Sequence, residues 1–243
     1  MLKKVTIFAV SVLSFLGAAA QAQELDRLIQ MPSLPPADEG IVIKPENQLP
    51  HYEMLKESIK KDRASVKKYG YIRRSSPEAQ VLLNFQKGLI QFSPKNLTAT
   101  ADTGLYRSIH DIQMAYRYYG VPASAMTNEL AVAPAGTYLQ GQGWTGAAQT
   151  FEKAGLGICN YNEMNAKLNH GSVLVARENV SYDINGKVTQ KYAKGEENEG
   201  FIYGVGWYDD TIYHELECVQ MTFSPDTMRS VVNLAIVIDN NAH

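Results

Sequence analysis

Histidine and its acidic neighbours are the residues of this sequence best suited to general acid–base chemistry. Asp111 directly follows His110, and His214 shares a strand-like stretch with Glu215 and Glu217. A period of two directs both glutamates away from His214. A secreted hydrolase with a dispersed site would use His110, Asp111 or His214 as its general base, together with residues distant in sequence. The sequence contains no G-x-S-x-G nucleophile motif to support this reading.

No sequence pattern gives good support to a metal or cofactor site. None of the five histidines forms an H-x-x-x-H pair or lies near a cysteine at metal-ligand spacing, so we predict no metal site. Residues 141–146, GQGWTG, match G-x-G-x-x-G, which at the start of a helix could cradle a pyrophosphate. The other interpretation is a flexible glycine turn with Trp144 as a packing anchor. We favour the turn and expect no cofactor.

The two cysteines, Cys159 and Cys218, are predicted to form a disulfide, because an even count in an exported chain favours pairing. The bridge would close a loop of about 60 residues and stabilise the fold by roughly 4 kcal/mol. It would also hold the region before the predicted sheet against the last long strand. The alternative is a free nucleophilic cysteine with a histidine partner.

The N-terminus has the pattern of a secretory signal peptide over residues 1–22. Lys3 and Lys4 precede an apolar stretch at 5–19, and small residues flank a cleavage site near Ala22. No later segment reaches about 18 consecutive apolar residues, so we expect no transmembrane span in the mature chain. These features predict a periplasmic or secreted protein.

The net charge is small, but basic and acidic residues are concentrated in different parts of the chain. The net charge of −2 gives no reason to expect nucleic-acid binding. Residues 51–75 contain eight basic and three acidic residues, and residues 191–217 contain two basic and seven acidic ones. The two regions could simply cancel as solvated surfaces, or Lys60, Lys61 and Arg63 could meet an anionic surface or partner.

Helical periodicity fills the first half of the chain. We predict a charged helix over 51–69 that ends at Gly70, and a second that begins at Ser76-Pro77 and continues to residue 92. An apolar stripe predicts a third helix over 105–119, and a short fourth is predicted over 146–153.

From residue 171 the period changes to two. Asn185-Gly186 predicts a hairpin, and further strands are expected at 201–208, 211–223 and 230–238, with a turn at 224–226. The predicted fold class is therefore α+β: a mostly helical N-terminal half followed by an antiparallel meander of about five strands. We divide the mature chain into an arm at 23–50 and a globular domain at 51–243, with a helical part at 51–155 and a sheet part at 171–238.

The arm and the aromatic residues suggest a binding role. Five prolines favour an extended conformation over 23–50, and Ile41-Val42-Ile43 could add a strand edge or dock on a partner. Trp144 and Trp207 are further interaction candidates, or pocket residues if the chain carries a small ligand. Our leading hypothesis is an exported, non-catalytic interaction or structural module of a bacterial-type envelope, in a secretion or envelope assembly with a protein partner. The alternative is the hydrolase.

Overall fold

Strands, not helices, dominate this chain. The computed structural model describes residues 40–86, 108–169, 171–209 and 211–241, and these contain ten strands and three α-helices. The helices are α1 (Tyr52–Tyr69), α2 (Pro77–Gln86) and α3 (Pro225–Asn241). The strands are β1 (Gly40–Lys44), β2 (Ile72–Arg73), β3 (Asn128–Leu139), β4 (Gly143–Lys153), β5 (Gly157–Asn165), β6 (Ser172–Ala176), β7 (Ser181–Ile184), β8 (Lys187–Glu196), β9 (Gly200–Tyr208) and β10 (Ile212–Gln220).

Eight of the strands form one sheet, in the order β2-β8-β9-β10-β5-β4-β3, with β7 also paired to β8. All its pairings are antiparallel except that of β2 with β8. The remaining two strands, β1 and β6, pair in parallel. None of the helices in the described ranges combines the length and the hydropathy that crossing a membrane requires.

One face of the large sheet carries the main apolar core, and we call it the disulfide face because Cys159 and Cys218 lie on it. The helix α3 packs here and buries side chains at a spacing of three and four residues. The core residues that it shares with the sheet include Val231, Leu234, Ala235, Ile238, Tyr161, Tyr203, Val205, Trp207 and Leu216.

The opposite face, which we call the glutamate face, carries Glu215 and Glu217. At one end of it the helix α2 forms a second apolar cluster of Ala79, Leu82, Leu83, Ile158, Ile202 and Val219. The helix α1 packs on β2 and on the turn Glu46–Gln48, and it has no buried residue. It therefore lies beside the sheet at the β8 edge and does not cover either face as α2 and α3 do.

Several local predictions are confirmed. The helix predicted over 51–69 is α1, and Gly70 ends it with a left-handed φ of 84°. The hairpin at Asn185-Gly186 joins β7 to β8, with φ values of 48° and 76° at the two turn residues. The second predicted helix begins at Pro77, as expected. Its predicted end, up to residue 92, lies outside the described residues.

The predicted fold class is wrong, since β3, β4 and β5 occupy much of the half expected to be helical. The predicted helix over 105–119 is one reason. Its described part contains only a 3₁₀ turn, Ile109–Asp111. The backbone N–H of Ala115 donates to the carbonyl of Trp144, and the N–H of Trp144 donates to the carbonyl of Gln113. These residues thus pair with β4 and not with each other.

The predicted helix over 146–153 is also wrong, because this segment belongs to β4. Its register pairs Ala148 with Ala133 on β3 and with Asn162 on β5. Both edges of β4 are hydrogen-bonded to neighbouring strands, and Ala147, Ala148 and Phe151 are buried. Tertiary pairing of a central strand has overridden the helical preference of alanine.

The last predicted strand, 230–238, is part of α3. Ser224 begins this helix: its hydroxyl accepts from the N–H of Asp226 at 3.2 Å, and its carbonyl accepts from the N–H of Met228. Pro225 takes the first helical position, where its missing N–H costs nothing. The segment predicted as a turn is therefore a helix start.

The disulfide joins the two halves of the large sheet. Cys159 on β5 and Cys218 on β10 are paired positions in the register, both fully buried, and their sulfurs are bonded across a sequence separation of 59 residues. No free cysteine occurs among the described residues, so the nucleophile alternative is not realised.

We expect the double variant Cys159→Ala, Cys218→Ala to lose about 2 to 5 kcal/mol of unfolding free energy, because the unfolded chain gains the freedom of the opened loop. Urea unfolding of the oxidised protein and of the variant measures the difference. Reduction of the native protein by dithiothreitol is the matched control and should give the same loss. Identical unfolding midpoints for all three would contradict the prediction.

Candidate functional site

The glutamate face owes its shape to two glycines on β9. Gly204 and Gly206 lie opposite Glu217 and Glu215 on β10. A side chain at Gly204 would collide with the ring of Tyr192, and one at Gly206 would press on the ring of Tyr213 at 3.3 Å. The glycines thus leave room for tyrosine rings to lie across the middle of the sheet.

Polar side chains fill the space between these rings. The hydroxyl of Tyr192 donates to Glu217 Oε1, and that of Tyr208 donates to Gln190 Oε1 at 2.9 Å. The ring of Tyr208 stacks on that of Tyr213 with centroids 5.2 Å apart. Each of these tyrosines therefore has one aromatic face on the sheet and a hydroxyl at the polar centre.

A hydrogen-bonded row extends the polar centre across β4 and β5. The hydroxyl of Thr150 donates to Asn160 Oδ1 at 3.0 Å, and Asn160 Nδ2 donates to Asn162 Oδ1 at 3.2 Å. Asn162 is the register partner of Glu215. Both asparagines are about 5 % exposed or less. Buried polar groups cost folding free energy unless they are paired, and these hydrogen bonds supply part of that pairing.

Glu215 and Glu217 lie on this same face, close enough for the charge on one carboxylate to affect the pKa of the other. Burial, together with the nearby Glu217 carboxylate, raises the pKa of Glu215 to about 8. Burial and Glu215 likewise raise the pKa of Tyr213. Glu215 therefore holds its proton at neutral pH.

A cleft of about 990 Å³ opens onto this polar centre. One wall is α1, which contributes Ile59, Asp62, Arg63, Val66 and Lys67. The other is the edge of β8 from Gln190 to Ala193, with Tyr208, Tyr213 and Glu215 beyond it. A cleft of this size, with aromatic walls and an ionisable group of shifted pKa, has the features of a ligand site.

The cleft lies along the edge of β8 opposite β9, where the strand pairing is interrupted. On this edge β2 pairs with Lys194 and Gly195, and β7 pairs with Lys187 and Thr189. Within the described ranges, no strand is registered against residues 190–193 on that side. The helix α1, which packs on β2, forms the wall of the cleft opposite this stretch of β8.

The predicted general base His214 lies elsewhere, beneath α3, and is 1 % exposed. Its Nδ1 is 2.8 Å from the hydroxyl of Tyr161, and its Nε2 is 3.2 Å from Asp209 Oδ2. Its ring stacks on the interaction candidate Trp207, which is also fully buried. The structure brings His214 and Trp207 together, but in the core, where a substrate has no access.

Charged groups complete this core network at the end of α3. Asp239 Oδ1 accepts from Trp207 Nε1 at 2.9 Å and from Lys187 Nζ at 2.6 Å. Lys187 also contacts Asp209 at 2.6 Å. Burial alone would raise the pKa of Asp209, but hydrogen bonds from His214 and Lys187 outweigh it and hold that pKa at about 2. The network ties α3 to the β7–β8 hairpin and to β10.

His110 and Asp111 are exposed on the 3₁₀ turn and lie neither in the cleft nor beside His214. Trp144 packs its ring on Tyr138 with centroids 5.5 Å apart, and residues 141–146 form the β3–β4 turn and the start of β4. No helix follows the glycines, so this segment lacks the helix N-terminus that a pyrophosphate cradle needs.

Arg63 is the one basic candidate of the three that lines the cleft, and it is ion-paired with Glu46. Lys60 and Lys61 are exposed on α1 outside the lining. Ile41, Val42 and Ile43 form β1 and pair in register with residues 173–175 of β6. The described residues contain no group of side chains arranged to hold a metal ion.

Sequence reasoning missed four residues that line the cleft, Tyr192, Tyr208, Tyr213 and Glu215, and it missed the buried Glu217, which accepts from Tyr192. The signal was present: two glutamates at a spacing of two in one strand, and two glycines at the same spacing in the preceding strand. Comparison with family models, with curated proteins and with solved structures finds no match to this chain.

The proton on Glu215 makes stability depend on pH. The unfolded chain releases this proton near pH 4, whereas the folded chain holds it until about pH 8. Stability of the native protein therefore falls as pH rises through this window, by up to about 1.4 kcal/mol per pH unit. Glu215→Gln removes the titration, so we expect the variant to gain stability relative to the native protein between about pH 5 and pH 8.

Urea unfolding at several pH values measures this difference. Glu53→Gln on α1, where the side chain is 81 % exposed, is the matched control and should follow the native profile. Parallel profiles for the native protein and Glu215→Gln would show that Glu215 does not hold a proton in the folded chain.

The Asp209 network has the opposite pH dependence. Because its folded pKa is below the unfolded value, its contribution is present above about pH 4 and is lost as pH falls toward 2. We expect Asp209→Asn to lose about 1 to 3 kcal/mol at neutral pH and to approach native stability near pH 2. Chemical unfolding measures the loss, with the exposed Asp226→Asn as control. A loss independent of pH would argue against the ion pairs as its cause.

Proposed function

We propose that this chain is an exported, non-catalytic interaction module, and that the cleft between α1 and the β8 edge is its binding site. The observation that carries the proposal is the cleft itself: among the described residues no strand is registered against residues 190–193 of β8, and α1 presents Ile59 and Val66 to the same cleft. An interaction surface of this kind combines aromatic anchors with a polar rim.

The disulfide and the lack of a membrane-spanning helix among the described residues are compatible with a periplasmic or secreted protein. The finer proposal is that residues 1–22 are removed as a signal peptide and that the mature chain joins an envelope or secretion assembly. The hydrolase alternative receives no support from the histidines, because His214 is buried and His110 stands apart from it.

The test compares two variants of α1 that differ only in which side of the helix they change. Val66 and Leu55 are both 46 % exposed, but only Val66 lines the cleft. We expect Val66→Arg to obstruct the cleft and to abolish co-purification of a stoichiometric partner from envelope and culture-fluid fractions. Leu55→Arg should retain the partner.

Circular dichroism and urea unfolding establish that both variants are folded before the capture. Equal recovery of the partner by both variants would show that the cleft is not the binding site. A native protein that retains no partner in either fraction would contradict the interaction module itself.

A further inference from the structure

A line of hydrogen-bonded side chains on the disulfide face leads from the core toward solvent. Glu163 Oε2 is 2.8 Å from the hydroxyl oxygen of Tyr161, and that oxygen is 2.8 Å from His214 Nδ1. His214 Nε2 is in turn 3.2 Å from Asp209 Oδ2. Glu163, Tyr161 and His214 are each 1 % exposed, whereas the side chain of Asp209 is 24 % exposed. We call these four residues the proton chain.

Each of the three contacts in the proton chain needs one hydrogen between its two atoms. With both carboxylates ionised and the imidazole neutral, only two hydrogens are available, one on the Tyr161 hydroxyl and one on the His214 ring. However these two are placed, one contact brings two lone pairs together at 3.2 Å or less. The three distances therefore require one further proton in the proton chain.

Asp209 does not carry this extra proton. Its Oδ1 is 2.6 Å from Lys187 Nζ, and although burial acts against them, hydrogen bonds from His214 and Lys187 keep the pKa of Asp209 at about 2. The proton is then shared between His214 and Glu163. Either an imidazolium donates to Tyr161, which donates to Glu163, or a protonated Glu163 donates to Tyr161, which donates to His214 Nδ1. In both arrangements the Nε2–H of His214 donates to Asp209.

The groups that face Glu163 supply no positive charge beyond the proton chain itself. Burial is the largest influence and raises the pKa of Glu163, while the other members of the proton chain act in the opposite direction. Tyr116 and Tyr118, from the segment before β3, also face this carboxyl group. Burial and the Glu163 carboxylate raise the pKa of both tyrosines, so both stay neutral. Glu129 on β3 is a further acidic group beside Tyr118.

At the other end of the proton chain, Lys187 from β8 lies between Asp209 and Asp239 of α3. Its Nζ is 2.6 Å from a carboxylate oxygen of each. Without the extra proton, these groups and Glu163 would amount to three carboxylates and one ammonium group. The extra proton reduces their net charge from two negative to one, which lowers the cost of burying them.

We infer that the proton chain holds this shared proton at neutral pH and acts as a pH sensor, which releases the proton at alkaline pH and thereby opens residues 116–121, the segment that covers Glu163. This inference is independent of the cleft and goes beyond the proposed function. The hydroxyl of Tyr116 donates to the carbonyl of Glu163 at 3.4 Å, and the N–H of Val121 donates to Gln149 Oε1 at 2.9 Å. An ionised, buried Glu163 needs water, which this segment must move to admit.

Glu163→Gln tests the proton count. The carboxamide donates permanently to Tyr161, which fills all three contacts with a neutral His214. The unfolded native chain releases the Glu163 proton near pH 4 and the folded chain keeps it, so native stability falls relative to the variant as pH rises. We expect the native unfolding constant, divided by that of Glu163→Gln, to increase about tenfold per pH unit from about pH 5 to beyond about pH 7, and then to level off where the folded chain releases the proton.

Urea unfolding between about pH 5 and about pH 9 measures both constants. Glu215 is present in both proteins, so its own titration cancels in the ratio. The matched control is Glu53→Gln, whose site is 81 % exposed and which should give a constant ratio. A ratio for Glu163→Gln that is constant from about pH 5, or that levels off below about pH 7, overturns the inference.

Nuclear magnetic resonance of the native chain locates the proton even if Glu163→Gln does not fold. With isotope-labelled glutamate and histidine at neutral pH, we expect a protonated Glu163 carboxyl group, a doubly protonated His214 ring, or exchange between the two. An ionised carboxyl group together with a neutral ring overturns the inference.

Hydrogen exchange tests the opening of residues 116–121. At neutral pH the amide of Val121 should exchange at the same rate in the native protein and in Glu163→Gln. Above the pH at which the ratio levels off, it should exchange about tenfold faster in the native protein. Equal exchange in both conditions, or a ratio that still rises at about pH 9, overturns the sensor.

Discussion

The alternation of side chains along β10 is the constraint on which the rest of the molecule depends. This strand is central, between β9 and β5. His214, Leu216 and Cys218 enter the core beneath α3, while Glu215 and Glu217 enter the glutamate face. A slip of one residue would exchange the two sets and place two carboxylates in the apolar core. The disulfide between paired positions of β5 and β10 is well placed to prevent that slip.

The polar centre of the glutamate face is costly, and the surrounding residues offset part of its cost. Tyr192 donates to Glu217, Asn160 donates to Asn162, and Glu215 avoids a second buried charge by keeping its proton. Because Gly204 and Gly206 have no side chains, the rings of Tyr192 and Tyr213 can lie close to the β9 backbone. Packing alone does not require such an arrangement, and this is one ground for the binding role proposed above.

Local sequence patterns predict individual helices and turns better than they predict the fold class. Ser76-Pro77 and Ser224-Pro225 are the same helix start, yet from sequence the second is predicted as a turn between two expected strands. The alanines of β4 favour helix when taken alone, and only pairing on both edges makes them a strand. The glutamate pair was visible at its spacing of two, but its meaning required the register with β9, which no single segment contains. Non-local pairing is the information that periodicity in one segment lacks.

The two edges of the large sheet differ in how open they are to pairing with a further strand. At one side β3 carries Pro134 and two register shifts, features that discourage further strand pairing. At the other side β2 and β7 pair with the ends of β8, and α1 forms the opposite wall of the cleft along its middle. Lys191 is the one charged residue on the open stretch between them, and it is ion-paired with Asp183 at 2.8 Å. An unprotected strand edge is normally a liability for aggregation. Here the stretch of β8 left without a registered strand among the described residues is only four residues long and lies behind α1, too short for extended pairing with a second sheet.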